Sequence, residues 1–347
     1  MSLVTSRDLV PSEVFVTSIS HDPEEGFNDD KPVWTRYFLE KHVWPEYERA
    51  MEREPDAKDR GAICLRLRSL LEISKQNMKP ISGRRGSKLS IHDFLTIDIQ
   101  SPQPYAGTSP ISRFTPGNIQ LITDRWRGLW TDWFNGKHPE KFKIDFLEES
   151  FLRIYGVTNC DLIDRIVAIN FGSMQWCGAW RWKGDLRKFR EEAWDPEPFL
   201  RYIALWHLVG VVRDAQGGYS PMVVIQDQSL AKEEKYLLNH YYKFYNPTPG
   251  VRFEKPPHGW SKHVTRNSLV VHFNADFPAR EIIENVTADS RPPAALICAT
   301  KTMSVGSDVT SKRVKKMLDM YKPPVHISDF AIGNPLGQAE LYVWKEA

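Results

Sequence analysis

The chain predicts an α/β protein, built on a doubly wound, mostly parallel sheet with a helical region before it. Three observations carry that expectation. Beyond about residue 160, short apolar runs alternate with longer amphipathic stretches, the pattern left by strand–helix–strand crossovers. The first of these runs, Ile166–Phe171, stops abruptly at Gly172-Ser173, as a strand buried on both faces does. With 347 residues, 41% hydrophobic and 26% charged, the chain can bury one large or two ordinary cores. Together these give a Rossmann-like architecture over residues 156–347, a helical N-terminal region over 32–155 and a polar arm over 1–31.

The arm is rich in Pro, Asp and Ser and offers little to bury. Trp34–Arg53 and Asp59–Met78 read as helices, the second on the strength of Leu65, Leu67, Leu70 and Leu71. Lys79–Lys88 is a basic loop carrying glycine, and the prolines and serines of Gln100–Asn118 read as an extended connector. Asn118–Phe134 and Pro139–Tyr155 read as helices again. Then the alternation begins. Ile166–Phe171 is a strand, and Glu197–Asp214 a helix with Phe199, Tyr202, Ile203, Trp206 and Val209 on one stripe. Pro221–Gln226 is the second strand, followed by a helix at Leu230–Tyr245. Ser268–Phe273 and Ala294–Ala299 are the third and fourth strands, with helices near Asp276–Val286 and Thr310–Tyr321. Val325–Phe330 and Leu341–Trp344 add edge strands.

Composition excludes several classes. A net charge of +2 confines any nucleic-acid contact to local patches. Four cysteines without CxxC spacing argue against structural zinc and against a disulfide framework, which fits a reducing compartment. No His pair has HExxH spacing, so no metal site is expected. The amino-terminal residues lack a basic region followed by an apolar core, and Tyr202–Val212 is about half a membrane span. A cytoplasmic protein is the expectation.

The strand ends deliver polar groups to the carboxyl edge of the sheet. The first gives Gly172-Ser173, the second Asp227, the third His272 and Asn274, the fourth Thr300 and Lys301. Ligands of open α/β sheets bind at that edge, and a convergence of hydroxyl, carboxylate, imidazole and amide is what a site requires. Strand ends are also polar simply because they meet water. A dinucleotide site is disfavoured, because FGSMQWCG sets Met174, Gln175 and Trp176 where a pyrophosphate loop needs glycines. No cofactor is expected.

The following segment interleaves Trp176, Trp180, Trp182 and Trp194 with Arg181, Lys183, Arg187, Lys188 and Arg190. Aromatic faces stack on unpaired bases while cationic groups meet phosphates, so this composition suits RNA. It equally suits an amphipathic helix sealing the sheet edge. Lys312–Lys316 reads as a solvated helix face, and Arg84, Arg85 and Lys88 form a further basic cluster.

The strings IVAINFGSM, VVIQDQSLAKEEKYLL, SLVVHFNADFPAREII and AALICAT resemble the sensitivity-to-red-light-reduced domain of plants, animals and fungi. The likeness spans roughly residues 160–300. In length and tryptophan content the chain is similar to a fungal branch, the arginine-containing cyclodipeptide synthases. That resemblance implies an enzyme that takes arginine and a second amino acid from aminoacyl-tRNAs and closes them into a diketopiperazine. The DDxxE signature described for the branch has no counterpart here. Asp29-Asp30 precedes Lys-Pro-Val, and the acidic cluster nearest the sheet is Asp227 with Glu233 and Glu234.

The implied chemistry assigns roles. An aminoacyl ester is already activated, so no ATP site is needed. Ser173 is the hydroxyl that would accept the first aminoacyl group, with backbone N–H groups beside Gly172 facing the oxyanion. A guanidinium calls for a carboxylate, Asp227 first and Glu234 second. His272 or Tyr202 would take the proton of the attacking amine, with Asn274 a further substrate contact. Arg181, Trp182, Lys183, Arg187, Lys188 and Arg190 would hold the transfer RNA. Two other readings stay open: a non-catalytic regulatory protein of the same domain family, and a nucleotide-binding enzyme resembling methyltransferases.

Overall fold

The computed structural model describes residues 35–53, 63–67, 95–99, 162–172, 197–227, 230, 232–245, 250–272, 278–299, 311–326 and 339–344, with single positions between 124 and 135. Strands β1 (Ile63–Leu67) and β2 (Leu95–Ile99) form an antiparallel pair in which Ile63 faces Ile99. The expected helix over Asp59–Met78 is therefore corrected at Ile63–Leu67, where Ile63, Leu65 and Leu67 occupy alternate positions of a paired strand, and the rest of that reading lies outside the described residues. The readings of residues 1–31, 79–88, 100–118 and 139–155 lie outside the described residues.

Strands β3 (Arg165–Ile169), β4 (Met222–Gln226), β5 (Val251–Glu254), β6 (Ser268–His272), β7 (Ala295–Ala299), β8 (Val325–His326) and β9 (Ala339–Val343) form one seven-stranded sheet. Its order is β5-β4-β3-β6-β7-β9-β8, with the first five parallel and β9 antiparallel to both β7 and β8. The α/β expectation holds as a mixed, mostly parallel sheet with helices. The short β5 was not anticipated.

Alternate residues of each strand feed two cores. One face carries Ile166, Ala168, Val223, Ile225, Leu269, Val271 and Ile297, covered by α2 (Glu197–Ala215) and α3 (Lys232–Tyr245). The opposite face carries Val167, Ile169, Val270, Leu296 and Cys298. It is covered by α4 (Ala279–Val286), α5 (Lys312–Leu318), a π-helical turn at Gly259–His263 and an N-terminal helical run, α1. That run is α-helical at Arg36–Phe38, π-helical at Leu39–Val43 and α-helical at Trp44–Arg53. Parallel sheets need cover on both faces, and this chain supplies it.

Helix α2 departs from its expected single stripe. Tyr202 through Trp206, Leu208, Val209, Val211 and Val212 are all buried, so the helix is enclosed nearly all round. The N-terminal run is fixed by Arg36, whose guanidinium donates to the carbonyls of Val286 (3.1 Å), Val264 (2.6 Å) and Ser261. Burial lowers the pKa of that guanidinium from its ordinary value, and its three carbonyl acceptors answer for the lost water.

Candidate functional site

From β3 the chain moves outward through β4 to β5 on one side, and returns to lay β6 on the other. The strand order reverses between β3 and β6, and in open α/β sheets the crevice at such a switch point is where ligands bind. Its two lips here are the segment after Ile169 and the end of β6 at His272.

The first lip is held tightly. Asn170 sits at a positive φ of 56°, a conformation Asn tolerates better than most residues, and its N–H donates to the Gln226 carbonyl at 3.0 Å. That turn ends the strand two residues short of Phe171, the expected boundary. Gly172 follows with φ 91°. Its N–H donates to Asp227 Oδ2 at 2.5 Å, and its carbonyl accepts from the Tyr202 hydroxyl at 3.0 Å. Arg201 Nη1 donates to the Phe171 carbonyl at 3.1 Å, and the Phe171 and Tyr202 rings lie 5.5 Å apart. The end of β4 and helix α2 thus grip both polar groups of a single residue. Asp227 is 3% exposed. Glu234, in the first turns of α3, is 1% exposed.

The second lip has a different chemistry. Register pairs His272 with Ile169 on one side and Cys298 on the other, which puts it on the face opposite Tyr202. Its ring lies 6.3 Å from Trp260, edge-on, and is 1% exposed. The structure therefore brings Gly172, Tyr202 and Asp227 together on one lip and sets His272 on the other. Ser173, Asn274, Arg181, Trp182, Lys183, Arg187, Lys188 and Arg190 lie outside the described residues.

Beside His272 runs a polar row that the sequence reading missed. Cys298 pairs with Glu340 across β7 and β9, and Glu340 with His326 across β8. Glu340 accepts from the Tyr342 hydroxyl at 2.5 Å and lies 3.3 Å from His326 Nδ1. Burial, then the bond to Glu340, raises the Tyr342 phenol above its ordinary range, and Arg280 opposes that shift. Arg280 and Glu281, at the start of α4, are both buried. The usable signal was the strand period: His272 and Cys298 each close an alternation that turns Val270 and Leu296 to the same side.

At the β5 edge a second polar group forms, in which His263 alone is buried. His263 Nε2 lies 3.1 Å from Glu254 Oε1, Arg252 Nε reaches the same oxygen at 2.6 Å, and His258 Nδ1 is 4.0 Å from Oε2. Burial is the leading cause that lowers both imidazoles from 6.5, with Lys262 adding to it at His258 and Glu254 opposing it at both. Gly259 allows the turn to approach: a Cβ there would meet Gln226 Cβ at 2.6 Å.

Among the described residues no group of three or more His, Cys, Asp or Glu could hold a metal, and no helix is long and apolar enough to cross a membrane. Comparison with protein-family models, with curated proteins and with solved structures gives no match.

Proposed function

We propose that this chain is a tRNA-dependent cyclodipeptide synthase, working at the β3–β6 switch point of a Rossmann-like sheet and using arginine as one substrate. The observation that supports this reading best is the double grip on Gly172 by buried Asp227 and Tyr202, immediately before Ser173 in sequence. A nucleophile on a short turn needs its backbone fixed, because misplacement by about 1 Å costs roughly a hundredfold in rate. In the proposed reaction, Ser173 Oγ attacks the aminoacyl ester carbonyl, its proton leaves to a base, and the 3′-hydroxyl of the transfer RNA departs. The α-amine of the second aminoacyl-tRNA then attacks that seryl ester, freeing the serine. Ring closure by the remaining amine releases the second transfer RNA. Asp227 and Glu234, both buried and acidic, suit a guanidinium. Tyr202 stands nearer the Gly172 segment than His272 does; as a phenol it would relay the proton, taking one at its oxygen as it gives its own onward.

One observation favours a non-catalytic reading. Asp227 and Tyr202 each spend a polar atom on backbone, which a purely structural role would also explain. Asp227→Asn separates the two, because an Asn carbonyl can still accept the Gly172 N–H but carries no charge. Bacterial cells expressing the protein, whose own charged transfer RNAs serve as substrates, are expected to release an arginine-containing diketopiperazine detectable by mass spectrometry. Asp227→Asn should abolish the arginine product while leaving thermal stability unchanged. Folded wild-type protein that yields no such product would end the synthase reading.

A further inference from the structure

Helix α3 leaves the carboxyl edge five residues after Asp227 and presents two unlike faces within its first turns. Glu234 is directed into the core at 1% exposure, whereas Tyr236, about half a turn away, is 71% exposed. Tyr236 is not a stray apolar residue. Its ring stacks on His240, with centroids 6.5 Å apart and planes 15° from parallel, and His240 is itself exposed. In sequence, Lys232 and Lys243 stand four residues before and seven residues after Tyr236, and Glu233 three before it, so the positions on this face carry both signs of charge. A flat, solvated aromatic pair complements a stack of unpaired bases.

We infer that the Tyr236–His240 pair is the platform on which the unpaired 3′ nucleotides of an aminoacylated RNA stack. The inference rests on the synthase reading for the identity of the RNA and adds the residues that receive its end. The placement fits the topology. Tyr236 lies about 6 Å along the helix axis from its start at the carboxyl edge, given a rise of 1.5 Å per residue. A nucleotide stacked there leaves its 3′ end, and the attached amino acid, at the edge where Asp227 and Gly172 meet. Tyr219 and Leu162, also exposed, lie at the opposite, amino edge of the sheet, ahead of β4 and β3.

The test uses the full chain and fluorescence anisotropy with two labelled RNA hairpins, one ending in an unpaired 3′ CCA and one blunt. Wild type should bind the overhanging hairpin more tightly. Tyr236→Ala should weaken that binding roughly tenfold, the size of one lost base–aromatic stack, and leave the blunt hairpin unaffected. Tyr236→Phe, which keeps the ring, should bind as wild type does. Tyr37→Ala removes a tyrosine of similar exposure (69%) from α1 and should change nothing. Equal affinity of wild type for the two hairpins, or Tyr236→Ala binding the overhang as tightly as Tyr37→Ala, overturns the platform. The two readings fail separately. Diketopiperazine production with RNA binding indifferent to Tyr236 removes the platform alone, and Tyr236-dependent overhang binding without diketopiperazine removes the synthase alone.

Discussion

Gly172 shows how one residue organises a site. Its amide and carbonyl are both engaged, by Asp227 and Tyr202, and its φ of 91° belongs to glycine. Tyr202→Phe deletes a single buried hydrogen bond and should cost about 1 kcal/mol in denaturant unfolding. On the synthase reading it should also lower product yield more than that stability loss explains. Gly259→Ala tests a different kind of intolerance, since the new methyl would enter the space of Gln226 Cβ. The expected loss is about 1–3 kcal/mol, read as a lower denaturation midpoint. Much of this residue-level detail was legible. Gly172 and Asp227 stood out in the sequence as flexible or polar groups at strand ends, and Tyr202 as a helix residue able to take a proton. What could not be read was that Asp227 spends an oxygen on backbone, because strand-end type gives no information about rotamer or partner.

Among the elements, the turn between β5 and β6 joins three others, touching β4 through Gln226, α1 through Arg36 and β5 through His263. Arg36→Ala leaves three carbonyls without their charged donor and should cost about 2 kcal/mol. Faster amide exchange across residues 39–51 would locate that loss in α1. The same turn sets a pH response. His258 and His263 have folded pKa values below their unfolded value of 6.5, so the unfolded chain binds more protons in the interval between. Their contribution is present in full above about pH 6.5 and declines as pH falls through the window beneath it. Thermal unfolding at stepped pH should show the decline, and His263→Asn should flatten it. Strand β5 left no legible pattern, because its four residues include Arg252 and Glu254 and bury little. The sequence reading also misassigned Ile63–Leu67, where a locally correct leucine count outweighed a period-two alternation.

Considered whole, the described residues build two cores on the two faces of one seven-stranded sheet, and its strand-and-helix character followed from the alternation after residue 160. Strand order did not, since parallel neighbours are chosen by packing on both faces and leave no mark on the spacing of apolar runs. Shared strands predict shared fate. Leu269→Ala, on the α2 face, should destabilise by about 2–5 kcal/mol. Amides of β3, β4, β6 and β7 should then lose protection by a common amount, which hydrogen exchange resolves strand by strand. β9, by contrast, is laid antiparallel between β7 and β8. While the protein is being synthesised, the flank of β7 therefore stays open until residue 343 has left the ribosome, and a nascent chain stalled short of that point exposes a ready template for intermolecular pairing.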